Sequence, residues 1–170
     1  VSKQGGRTLC IIVVNSSDTH DSLVQQRNNA LVHALRTQGS VSPLHRKDEV
    51  PCWYVKAPQC DLVVLDRNRD GYQLPADQGV GLARKIGCDF ALAALHKGLN
   101  SSPLIHMTDC DVRLPSDYFN VTVPPSCAAL TYRFTHKASG NRQVDNAHAQ
   151  YEAYLRYYVL GLQHAGSTYA

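Results

Sequence analysis

Two short runs constrain this chain more than any other feature: LCIIVV at residues 9–14 and LVVL at 62–65, apolar throughout and rich in β-branched side chains. Each is too short for a helix and shows no polar face, so it suits a strand covered on both sides, as in a sheet flanked by helices. The strands predicted from them run over residues 7–14 and 60–66, and each opens onto a polar loop, at Asn15 before SSD and at Asp66 before RNRDG. Helical spacing fills the intervals. Leu23, Ala30, Leu31, Ala34 and Leu35 recur at three and four, with Asp18 or Asp21 as cap and Gly39 as stop. Val80, Ala83, Gly87, Phe90, Ala91, Ala94 and Leu95 do the same up to about His96, with Asp77 as cap and Gly87 as the place for a kink.

Residues 40–58 are polar and punctuated by proline, and read as a loop holding a short strand, WYV at 53–55. A third buried strand is expected at 104–108, and a fourth at 128–134, AALTYRF. The final helix, residues 145–163, carries an apolar stripe of Ala147, Tyr151, Tyr154, Leu155, Tyr158, Val159 and Leu162, whose tyrosines belong in a core or an interface. Strands alternating with helices predict an α/β chain with a mainly parallel sheet and helices on both faces. A length of 170 residues predicts one domain over 1–170. The chain starts at Val1 and stops at HAGSTYA within structured-looking sequence, so a piece truncated before a further half is expected.

Charge narrows the partners. Seventeen basic against fourteen acidic residues give a net +3, without a run of five like charges, which disfavours nucleic acid and leaves room for a small anionic ligand. Six cysteines, at 10, 52, 60, 88, 110 and 127, form no Cys-x-x-Cys pair and point to a reducing, cytoplasmic setting. No apolar run approaches the roughly 20 residues of a membrane span. A homo-oligomer is compatible with all of this.

The chemistry gathers at strand ends. In a parallel sheet, ligands sit outside the carboxyl ends of the strands, and Asn15, Asp66, Asp109 and Asp111 all fall there, in three predicted strands. Asp109 and Asp111 form Asp-x-Asp after the run PLIHM. Carboxylates gathered so closely repel unless a cation compensates, and a divalent metal carrying a diphosphate does so. Arg84 and Lys85, in the first turns of their helix, suit the anionic end of such a ligand. Other patterns compete. LIHMTDCDV also fits the haloacid dehalogenase arrangement, with Asp109 as nucleophile of a phosphohydrolase. DRNRDG copies the first half of a calcium loop through Asp66, Asn68, Asp70 and Gly71, but Gln73 and Asp77 break its second half. Gly79 and Gly81 lack the third glycine of a dinucleotide fingerprint, Arg84 standing in its place. The eight histidines show no metal-ligand spacing.

In order, LCIIVVN, VVLD, GVGLARKIGCDFAL and PLIHMTDCDVRLPSDYF resemble the family 2 glycosyltransferases of the GT-A fold, over about residues 9–119. The resemblance implies a Rossmann-like sheet and the nucleotide-sugar-binding half of a transferase, which takes a UDP- or GDP-sugar with Mn2+ or Mg2+ and passes the sugar to an acceptor. It implies that Asn15 and Asp66 flank the base, that Arg84, with Lys85 beside it, reaches the nucleotide, that Asp109 faces the ribose or the metal's water, and that Asp111 ligates the metal. The chain departs from the family pattern in lacking a proline before Asn15, an Asp-Gly-Ser run after Asp66, and the downstream Glu-Asp pair from which inverting members draw their base. Glu152, the only glutamate after Asp111, lies in the amphipathic final helix. The resemblance therefore implies donor binding without a complete acceptor site. A non-catalytic interaction domain of the same fold is the third reading.

Overall fold

The computed structural model describes residues 7–19, 22–125 and 127–167. Strand β1 (Leu9–Asn15) leads through helix α1 (Ser22–Arg36) to β2 (Ser40–Pro43), β3 (Cys52–Lys56) and β4 (Asp61–Arg67), followed by helices α2 (Gly79–His96) and α3 (Arg142–His164). The four strands form one sheet in the order β1-β4-β3-β2. The chain divides into two compact units, Val1–Val121 and Thr122–Ala170, so the sheet, α1 and α2 belong to the first and α3 to the second.

The sheet is mixed, which corrects the expectation of a mainly parallel one. Only β1 and β4 run parallel, while β3 pairs antiparallel with both β4 and β2. Connection length explains this. A parallel return needs a dozen or more residues, and only residues 57–60 separate β3 from β4. The expected short strand at 53–55 is the centre of β3. Its partner β2, with sequence SVSP, has no apolar alternation to announce it and is exposed at all four residues. Gly39 enters β2 where a Cβ would lie 2.1 Å from the Lys56 carbonyl oxygen, so only glycine admits this approach.

Helices cover both faces of the sheet, as the apolar runs require. On one face Val14, Trp53, Val55, Leu62 and Val64 pack with Val32 of α1. On the other Cys52, Val63 and Leu65 pack with Ile86 and Phe90 of α2. Val55 and Val64 are fully buried, each contributing about 1.5–3 kcal/mol relative to exposure. The expected facing of α1 holds only in part: Leu35 packs on the sheet as expected, with Val32 beside it, while Leu23 and Leu31 are exposed. Asp77 does not cap α2, since Gln78 occupies that position without a side-chain hydrogen bond, and the helix continues through Gly87. Asp18 donates its backbone N–H to the Leu74 carbonyl, and Asp21 lies outside the described residues.

The strands expected at 104–108 and 128–134 are irregular backbone. In the first, Ile105 and Met107 are exposed, and the adjoining chain is folded around buried Tyr118, whose hydroxyl donates to the Met107 carbonyl at 3.2 Å. In the second unit, Asn141 caps α3 by accepting from the N–H groups of Gln143 and Val144, which starts the helix ahead of the predicted residue 145. None of the α3 residues is buried, so of the core or interface expected for its tyrosines the core is not formed among the described residues. The last three residues of GSTYA lie outside the described part. Among the described residues, no helix is long and apolar enough to cross a membrane.

Candidate functional site

The parallel pair β1 and β4 ends with Val14 beside Asp66 and Asn15 beside Arg67. Side chains alternate across a strand, so the register decides which expected site residues meet. Val14 belongs to the α1-side core, which puts Asp66 on that face; Val13 and Leu65 belong with the α2 side, which puts Asn15 and Arg67 there. Asn15 and Asp66 are thus neighbours at the edge but turned to opposite faces.

On the α1 side, an amide cluster ties the helix to the strand ends. The buried Asn68 side chain donates to the Gln25 carbonyl at 3.1 Å and to Asn29 Oδ1 at 2.8 Å, while its own oxygen accepts from Asn28 Nδ2 at 3.1 Å. Asn28 Nδ2 also reaches the Asn15 carbonyl at 3.0 Å. Beside this cluster opens a polar cleft of about 370 Å3, lined in part by Asn29, Val32, Arg36, Trp53, Asp66 and Arg69. Arg36 stacks its guanidinium over the Trp53 ring at 4.2 Å. Asp66 is 4 % exposed; its Oδ1 accepts from the Asn68 N–H at 3.0 Å, and its Oδ2 has no hydrogen-bond partner among the described residues. The second oxygen of this otherwise buried residue faces the cleft as an acceptor for an incoming donor.

On the α2 side, Arg84 and Asp109 meet in an exposed ion pair at 2.5 Å. The sheet positions Arg84 through α2: Gly87 lies against Val13, where an added Cβ would sit 3.6 Å from Val13 Cγ2. One turn earlier, toward the amino end of α2, Arg84 is exposed beside sheet-facing Ala83. Lys85 instead pairs with Asp89 on the helix surface at 2.5 Å. Asp111 is exposed and makes no hydrogen bond or ion pair with any described residue. Asp109 and Asp111 stand in a turn rather than at a strand end.

No protein-family model matches the chain, and neither does any curated protein or solved structure. The chemistry of this edge therefore rests on its own residues. No group of three or more His, Cys, Asp or Glu side chains fit to hold a metal occurs among the described residues. Asp109 and Asp111 would supply two oxygen ligands, a donor set that suits Mg2+ or Mn2+ completed by phosphate oxygens and water, since such ions are commonly held by one or two carboxylates plus substrate phosphates. Nucleophilic cysteine chemistry finds no support at Cys52, whose thiol burial pushes up to about 11. Glu152 is engaged in the second unit: it accepts from the His136 N–H at 2.7 Å and pairs with His136 and Arg156, and these donors hold its carboxyl below the usual range. A carboxylate so satisfied is a weak proton acceptor.

Three contributors escape a reading of the sequence alone. Asn68 stood out only within the broken calcium-loop pattern, Trp53 lay in a predicted short strand with no tie to the site, and Arg67 stood beyond the predicted end of its strand. The run QRNN at 26–29 was the available signal, being polar where α1 meets the sheet.

Proposed function

We propose that the first unit binds a nucleoside-diphosphate sugar across the carboxyl edge of its sheet with Mn2+ or Mg2+, as the donor half of a glycosyltransferase. The observation that carries this reading is Asp66, buried at the end of β4 with one oxygen open to a cleft large enough for a planar base. A ring N–H would satisfy that oxygen. Arg84 and Asp109 support the other half of the proposal. They hold each other with the opposite charges that a diphosphate and a cation would take up, and Asp111 follows with a carboxylate that no described residue engages. When bound, the cation would neutralise charge on the departing nucleoside diphosphate. Asp109 and Asp111 would hold it, Arg84 would orient the phosphates through charge-assisted hydrogen bonds, and Asp66 would fix the base. Lys85, occupied by Asp89, has a lesser part in this scheme.

A thermal-shift panel tests the proposal: UDP and GDP, each with and without Mn2+, on wild type and the Asp66→Asn and Asp111→Ala variants. The proposal expects stabilisation by a nucleoside diphosphate that grows with Mn2+, is lost in Asp111→Ala and is weakened in Asp66→Asn. Absence of any nucleotide-dependent shift with Mn2+ would refute it. Hydrolysis of p-nitrophenyl phosphate that disappears in Asp109→Asn would favour a phosphohydrolase instead.

A further inference from the structure

We infer that Arg67 is an anion-binding residue which, with Asn15 and Arg84, forms a diphosphate site on the α2 side of the carboxyl edge. The inference rests on the nucleotide reading for its biological ligand and deepens it by naming where the diphosphate would lie. Arg67 ends β4 two residues after Leu65 and four after Val63, both in the core beneath α2, so strand alternation directs it to that side. Its register partner is Asn15, and on the helix over this face Arg84 lies one turn before Gly87, which packs against Val13. Two guanidinium groups and an amide therefore border one stretch of the edge.

Among the described residues three other arginines have carboxylates: Arg7 pairs with Asp61, Arg84 with Asp109 and Arg156 with Glu152. Arg67 has none. Its side chain makes no hydrogen bond or ion pair with any described residue, and its Nε is buried without an acceptor. Asp66, adjacent in sequence, faces the opposite side of the sheet and cannot serve it. Arg36 shares the unpaired Nε but is stacked on Trp53. A buried guanidinium N–H without an acceptor is costly, and an incoming oxyanion would relieve that cost. The ligand class follows from the donors. A guanidinium presents a fork that matches phosphate oxygens, and two such forks along one edge suit two linked phosphates better than a lone carboxylate.

Isothermal titration of inorganic pyrophosphate into the full chain, with Mn2+ and without metal, tests the site directly. Wild type should bind, Arg67→Gln should bind at least about tenfold more weakly, the loss of one charge-assisted contact, and Arg67→Lys should fall between them because it keeps the charge and loses the fork. Arg46→Gln, in an exposed loop elsewhere, should match wild type. Circular dichroism checks that each variant folds; if Arg67→Gln does not, Arg67→Lys alone decides, and wild-type affinity in it overturns the inference. So does pyrophosphate binding in Arg67→Gln within about twofold of wild type, or no binding by wild type. UDP and GDP binding no tighter than pyrophosphate would instead sink the nucleotide reading and leave the anion site standing.

Discussion

Residues 62–65 and 104–108 look alike as sequence and end differently. LVVL lies between β1 and β3, hydrogen-bonded on both sides and covered by a helix on each face, with Val64 fully buried. LIHMT has no ladder among the described residues, and Ile105 and Met107 are about half exposed, at 45 % and 52 %. An apolar run marks a strand only where its backbone finds a pairing edge and its side chains find a covering layer. What orders the second region is local: the rings of His106 and Phe119 stand 5.1 Å from that of Tyr118.

Substitutions can break or sharpen this contrast. Leu74, fully buried where the loop after β4 hydrogen-bonds to Ser16 and Asp18, is expected to show the largest effect. Leu74→Ala should cost about 4 kcal/mol in denaturant unfolding. Asn68→Ala should cost about 2–3 kcal/mol, because it leaves the amides of Asn28 and Asn29 without their partner beside the strand ends.

Acid titration comes next. The Arg7 guanidinium hydrogen-bonds Asp61 and holds its carboxyl below the usual value, with Tyr54 assisting. A lowered folded pKa means that this contribution is complete above the unfolded carboxylate value of about 3.9 and fades as the pH falls through the lowered one. Arg7→Ala should therefore flatten the loss of stability in acid, and only slightly, because the guanidinium is exposed to solvent. Ile105→Ala should be smallest, within about 0.5 kcal/mol. A loss at Ile105 comparable to that at Leu74 would mean that residues 104–108 are a buried element after all.

Much of the fold was legible because its physics is local. β1 and β4 announce themselves by β-branched runs, α2 and α3 by their periodicity, and the covering of both sheet faces by the lack of any polar side to the runs. The direction of the strands was not, because it depends on residues 57–60 being too few to cross over and on β2, whose pairing is all backbone. The facing of α1 was misjudged in part for a related reason: the amides of Asn28 and Asn29 pair with Asn68 and the Asn15 carbonyl, and this polar pairing competes with the apolar stripe. At the candidate site, the order of residues suggested one rim with everything on it. The register divides it, with Asp66 on the α1 side and Asn15, Arg67 and Arg84 on the α2 side, so a ligand touching all of them must straddle the edge.

Linkage between metal and nucleotide tests the central proposal most directly. Electron paramagnetic resonance of free Mn2+ during a titration with UDP or GDP, corrected for Mn2+ bound by nucleotide alone, reads the coupling without relying on turnover. The account predicts that nucleotide strengthens Mn2+ binding to the protein, that Mn2+ strengthens nucleotide binding by the same factor, and that Asp111→Ala abolishes both. Nucleotide and Mn2+ binding that ignore each other, or coupling that survives in Asp111→Ala, would contradict it.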